Sequence, residues 1–120
     1  MYKPDKKLHK KAKAYMREVV KSLDETGRLQ DIDDASLEIL AYNYDIFLRA
    51  SEQLNGEYTV IGKDGQRVKN PLMAVIDRAV VTINTCTKQF GLSALDRAKL
   101  NKIDKTEKDD SVLAQLLAEN

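Results

Sequence analysis

Apolar residues recur at helical spacing near the start of the chain. Leu8, Ala12, Tyr15, Met16, Val19, Val20 and Leu23 fall on one stripe at about 100° per residue. The pattern predicts a first helix from about Asp5 to Glu25, with Gly27 just past its end. Asp33 or Asp34 then caps a second helix, which continues to about Leu54 and stops before Asn55-Gly56. Its apolar positions are Leu37, Leu40, Tyr44, Phe47, Leu48, Ser51 and Leu54, with Ile39, Tyr42 and Ile46 on a further flank. So wide a face predicts burial on more than one side, which a lone monomer would struggle to provide.

The periodicity changes from Glu57 to Lys69. Tyr58-Thr59-Val60-Ile61 and Gln66-Arg67-Val68 flank Gly62-Lys63-Asp64-Gly65 and predict a short β-hairpin with a glycine-rich turn. Such a ribbon is marginal alone. It is expected to lie against the helices or to pair with a neighbouring subunit. Asn70-Pro71 opens a third helix, since Asn caps and Pro suits the first turn. Its stripe is Leu72, Val75, Ile76, Ala79, Val80, Ile83, Cys86, Thr87 and Phe90.

In Phe90-Gly91-Leu92-Ser93, Gly91 suits the left-handed position after a helix, with Leu92 packing back on it. Ser93 caps a short fourth helix, with Asp96 as a capping-box-like partner. Residues 101–110 read as a solvated linker rich in lysine and acid. They lead to Val112, Leu113, Leu116 and Leu117, an amphipathic segment whose helix is marginal in isolation. The expected architecture is mainly α. A domain over 1–100 holds about four helices with one hairpin between helices 2 and 3, and a flexible charged tail with the C-terminal segment covers 101–120.

Composition agrees with a helical class: 120 residues, 42% hydrophobic, with only two prolines and five glycines. The net charge of +1 hides a dipolar chain. Residues 1–22 hold eight cations against two carboxylates, a net +6, and residues 23–56 hold eight carboxylates against two cations, a net −6. The lone Cys86 allows no internal disulfide and fits a reducing compartment. No apolar run follows the N-terminal charges, so no signal peptide is expected. The apolar stretch Leu72–Ile83 is broken by Asp77 and Arg78 and is too short for a membrane span. A soluble intracellular protein is the expectation.

Candidate chemistry is narrow. Gly62-Lys63-Asp64-Gly65 has turn glycines without the GxxxxGK[ST] spacing of a phosphate loop. The single histidine, His9, removes most nucleophile–His schemes and has no second metal ligand in reach by sequence. Cys86, on an apolar stripe, reads as a buried small hydrophobe. No enzyme activity, no cofactor and no metal are therefore expected.

The positive face of helix 1 is the strongest functional signal. Lys3, Lys6, Lys7, Lys10, Lys11, Lys13, Arg17 and Lys21 can neutralise phosphates. Each contact would steepen the salt dependence by about 0.9 in log–log slope. The alternative for any charge run is a solvated face. A helix-turn-helix reading of helices 1 and 2 is poor, because Asp31, Asp33, Asp34 and Glu38 at the start of helix 2 would repel phosphates. Sequence specificity would then come from DNA shape or from the arrangement of subunits. Lys63, Arg67 and Lys69 offer a second DNA contact on the hairpin, although an inter-subunit or capping role is favoured there. Tyr42, Tyr44 and Phe47 read as core and interface in preference to stacking platforms.

One stretch carries a family likeness. Gly65-Gln-Arg-Val-Lys-Asn-Pro71, then a helix, then Phe90-Gly-Leu-Ser93 and Arg97-Ala-Lys-Leu100, resembles the phage terminase small subunits that share an NP…FGLS…R pattern. The order of elements agrees over roughly residues 8–100, and Ala94 stands where the family often has proline. The NP and FGLS residues act as caps and a left-handed glycine, so they are not binding sites. The resemblance implies a non-catalytic, ring-forming assembly protein in the cytoplasm of the bacterial host. It would recognise double-stranded viral DNA for packaging and present it to a large subunit holding the ATPase and nuclease. The eight cations of residues 1–22 would then contact DNA. Val112, Leu113, Leu116 and Leu117 would dock the large subunit or pack on their own oligomer. A small dimeric helical DNA-binding regulator and a structural adaptor that never touches DNA are the competing classes.

Overall fold

The computed structural model describes residues 2–30 and 33–92. Among them are three helices and one two-stranded sheet: α1 Lys10–Glu25, α2 Asp34–Leu54, β1 Thr59–Ile61, β2 Arg67–Lys69 and α3 Leu72–Gln89. The chain divides into two compact units, Met1–Thr87 and Lys88–Asn120. The fold is mainly helical with a hairpin between helices 2 and 3, as the periodicity predicts. The expected fourth helix, the boundary near residue 100 and the C-terminal segment lie outside the described residues.

The first helix starts later than its apolar stripe suggests. Asp5 does not open it. Instead the Asp5 carboxylate accepts the Lys7 N–H (2.9 Å) and its carbonyl accepts the Leu8 N–H (3.2 Å), closing a local turn. His9 is extended (φ −52, ψ 142) and serves as the N-cap, its Nδ1 accepting the Lys11 N–H at 3.0 Å. From there α1 buries Ala12, Met16, Val19 and Leu23. It ends in a paired lock, with Gly27 at φ 68, its N–H on the Asp24 carbonyl and the Arg28 N–H on the Leu23 carbonyl.

Helix α2 runs antiparallel to α1. His9 at the start of one meets Glu52 near the end of the other, and Tyr15 stacks on Tyr44 with ring centroids 4.4 Å apart. Leu37, Leu40, Ala41, Ala50 and Leu54 are buried. Met16 and Leu23 of α1 and Leu37 and Leu40 of α2 are the largest fully enclosed side chains. Each such residue contributes about 1.5–3 kcal/mol by leaving water. Asp33 stands at the N-cap position but does not cap; its carboxylate accepts the Gln30 N–H (3.1 Å) and closes the preceding loop. The far end stops where the sequence predicts, after Leu54, and the structure shows Asn55 left-handed there at φ 47.

Helix α3 contributes the buried Ala79 and Cys86. Burial pushes the Cys86 thiol up from its ordinary value. The Tyr15 hydroxyl is pushed up by burial first, then by the nearby Tyr44 and Cys86, which ties α3 to the helical pair. Gly91 is left-handed (φ 67), as expected after a helix.

The hairpin pairs Thr59 with Lys69, Val60 with Val68 and Ile61 with Arg67. Most of its side chains stay exposed, including Tyr58, Ile61 and Val68. What holds it is Asn70. This buried side chain donates from Nδ2 to the Glu57 carbonyl (2.9 Å) and accepts the Leu72 N–H on Oδ1 (3.0 Å), while its own N–H donates to the Tyr58 carbonyl. One residue therefore caps α3 and latches the hairpin base. Asn70→Ala removes both functions and is expected to cost about 1–2 kcal/mol. In a thermal melt followed by circular dichroism this lowers Tm by roughly 5 °C or more; an unchanged Tm would remove Asn70 from that role.

Candidate nucleic-acid interface

The expected cation face divides into two parts, because the helix begins at Lys10. Lys10, Lys13, Arg17 and Lys21 sit at i, i+3, i+7 and i+11 of α1 and form one stripe, roughly 16 Å long at about 1.5 Å per residue. Lys10, Arg17 and Lys21 are exposed and Lys13 is half-buried. Lys11 is exposed but turned about 100° from Lys10 around the helix, so it lies off the stripe. Lys3, Lys6 and Lys7 are exposed on the non-helical arm ahead of α1. The Lys13 ammonium donates to the Lys6 carbonyl at 3.3 Å, which draws that part of the arm to the stripe. Lys3 has no such tie among the described residues.

A second set of contacts fixes the end of the arm to α2. The His9 N–H donates to Asp45 Oδ1 at 2.6 Å, and the His9 ring meets Glu52 Oε1 at 2.6 Å through Nε2. Because Nδ1 already accepts the Lys11 N–H, Nε2 carries the proton and donates to Glu52. Arg49 donates from Nε to both Asp45 oxygens at 3.0 Å and from Nη2 to the Lys7 carbonyl at 3.0 Å. At the other end of the arm, the Tyr2 hydroxyl is pushed up by burial, then by the Glu38 and Asp5 carboxylates. Glu38, Asp45 and Glu52 are seven residues apart and share one face of α2. That acidic stripe underlies the arm. Sequence reasoning counted these acids only as charge; their seven-residue spacing was the available signal.

The acids do not quench the lysines. Among the described residues no carboxylate forms an ion pair with Lys3, Lys6, Lys7, Lys10 or Lys11. Elsewhere Lys69 of the hairpin reaches Asp77 of α3 at 3.8 Å, an exposed pair of little energetic weight. Lys63 and Arg67 are exposed. His9 joins no group of three or more His, Cys, Asp or Glu arranged to hold a metal among the described residues. No helix among those residues is long and apolar enough to cross a membrane.

A different surface is apolar. Ile39 and Tyr42 of α2 are 52% and 64% exposed and line a shallow hollow with Ala35, Glu38 and Asn43. Asn43 also borders a second hollow, lined by Ile46 of α2 and by Ala74, Val75, Arg78 and Ala79 of α3. The two hollows adjoin at Asn43. Tyr44 and Phe47 are half-buried and stacked, in keeping with a packing role; Tyr42 is the aromatic left outward.

Comparison with known families decides the chain's kinship. The model of the family described as phage terminase, small subunit, matches residues 12–107. The chain belongs to that family. No curated protein and no solved structure matches it. Membership gives this small terminase subunit a packaging-related role. The matched span takes in the Asn70-Pro71 helix start and the left-handed Gly91, and it begins behind the arm that carries Lys3, Lys6 and Lys7 and behind Lys10 and Lys11 of α1.

Proposed function

We propose that this small terminase subunit recognises double-stranded viral DNA for packaging, acting without catalysis of its own. The α1 stripe and the arm make the phosphate contacts. The observation that carries the reading is the set of exposed, unpaired cations on both, beside α2 carboxylates whose partners are the His9 and Arg49 groups. Such contacts fix a protein on the duplex but carry little sequence information. Specificity then comes from DNA shape and from the spacing of repeated subunits. The subunit works in the cytoplasm of the bacterial host and presents DNA to the large subunit, which supplies the ATPase and nuclease.

The same reading includes a homo-oligomeric ring. It is supported by the Ile39–Tyr42 face and its continuation to Val75, and by the exposed Tyr58, Ile61 and Val68 of the hairpin. Repeating a modest phosphate-binding patch around a ring raises affinity through effective concentration. A two-fold dimer would instead favour a DNA-binding regulator matched to a palindromic site. The C-terminal residues Val112, Leu113, Leu116 and Leu117 are assigned to docking on the large subunit, as an amphipathic helix-in-groove peptide on a charged linker.

Three measurements test these assignments. Replacing Lys10, Arg17 and Lys21 together by Glu is expected to abolish duplex binding in fluorescence anisotropy. Replacing them by Gln is expected to lower the log–log salt slope by about 0.9 for each phosphate no longer neutralised. Intact binding by the Glu variant would remove α1 from the interface. Light scattering coupled to size exclusion is expected to give a mass of many more than two subunits, and Ile39→Asp with Tyr42→Asp a smaller one. A dimeric wild type moves the reading to the regulator. Truncation before Ser111 is expected to leave mass and DNA binding unchanged while reducing stimulation of the large subunit's ATPase; full stimulation defeats the docking assignment.

A further inference from the structure

Acidic side chains beside a DNA-binding arm are ordinarily a handicap, since they repel the same phosphates the lysines attract. Here their bonding pattern is selective. Asp45 accepts the His9 N–H and the Arg49 guanidinium, and Glu52 accepts the His9 ring. The remaining Arg49 contact goes to the Lys7 carbonyl. These contacts grip the arm by its backbone and by one imidazole. None takes up a lysine ammonium. The Asp45 and His9 side chains are only 16% and 17% exposed, so both are sheltered from competing water.

We propose that Asp45, Glu52 and Arg49 of α2, together with His9, form a clamp that positions the arm so that Lys6, Lys7 and Lys10 are held ready for phosphates. These are positioning residues and touch no DNA themselves; the proposal rests on the DNA-binding reading above. The physical reason is ordering entropy. Residues 2–9 form no helix or strand; the hydrogen bonds described for them are the Asp5 turn, the Lys13–Lys6 contact, the His9 cap on α1 and the contacts to α2. A free arm would have to be ordered on each binding event, which weakens association. A clamped arm is ordered in advance. His9 also joins two jobs in one ring, because accepting the Lys11 N–H at Nδ1 sets the tautomer that donates to Glu52.

The clamp makes a prediction whose sign is opposite to simple Coulomb repulsion. Removing a carboxylate near DNA should tighten binding if charge alone matters. Under the clamp, Asp45→Ala weakens binding, by up to about tenfold, the equivalent of one immobilised long side chain. The log–log salt slope stays near the wild-type value, because the lysines still reach phosphates once bound. This pattern differs from removal of a lysine, which lowers the slope.

The experiment uses the full chain and random-sequence duplex DNA, with anisotropy titrations across a salt series and tryptic cleavage after Lys6 and Lys7 without DNA. Asp45→Ala is expected to bind more weakly at unchanged slope and to be cut faster. Asp45→Asn, which keeps an acceptor for the His9 N–H, is expected to bind as well as wild type or better. His9→Asn keeps a capping side chain for α1 but loses the Glu52 contact, so it should weaken DNA binding with little change in Tm. It also serves if Asp45→Ala does not fold. Equal or tighter binding by both Asp45→Ala and His9→Asn overturns the clamp, as does unchanged cleavage or an equal loss in Asp45→Asn. Those outcomes leave the DNA reading intact if wild-type binding remains salt-dependent. A wild type with no salt-dependent binding overturns both.

Discussion

Antiparallel packing of α1 on α2 is the constraint from which the rest of the described structure follows. Met16 and Leu23 of α1 and Leu37 and Leu40 of α2 are fully buried, and Tyr15 stacks on Tyr44. Burying that side of α1 turns Lys10, Arg17 and Lys21 outward. It also brings the start of α1 to the end of α2, where Asp45, Arg49 and Glu52 meet the arm. The cation surface and its anchorage are thus consequences of one helix pair.

That pair leaves apolar area uncovered. Helix α2 is apolar over too wide an arc for one partner. Helix α3 covers part of it, bringing Ala79 and Cys86 into the core, while Ile39, Tyr42 and Val75 remain outward. The hairpin adds Tyr58, Ile61 and Val68. Exposed apolar residues grouped on an element's face mark interaction surfaces more than ones scattered singly. Membership of the small terminase subunit family and this uncovered surface are separate observations, and both underlie the proposed oligomer.

The charge distribution has a similar logic. A net charge of +1 conceals lysines at the start of the chain and α2 acids that, among the described residues, form no ion pairs with one another. The Asp45 and Glu52 carboxylates are engaged with an amide, an imidazole and a guanidinium, and the exposed Lys3, Lys6, Lys7, Lys10 and Lys11 have no carboxylate partner among the described residues. A total charge could not have revealed this, because pairing depends on which donor each oxygen faces.

Much of the fold was legible from residue order alone. Periodicity located three helices, and local chemistry marked their punctuation: the Asn70 cap, the stop before Asn55-Gly56, the left-handed Gly91, and the hairpin with its glycine-rich turn. These features depend on interactions within a few residues, so their signals are written in sequence. The family likeness was carried by the same local motifs. What failed was also instructive. Asp5 was expected near the start of α1 and Asp33 as a cap of α2, yet each bonds a nearby loop amide, and His9 caps α1. The His9 contacts that accompany that cap lie 36 and 43 residues away, at Asp45 and Glu52. The sequence by itself determined the helices, their stops and the excess of cations at the N-terminus. Only the tertiary structure decided where α1 begins, which cations share a face and what the α2 acids hold, because long-range hydrogen bonds compete with local ones and their partners lie far apart in the chain.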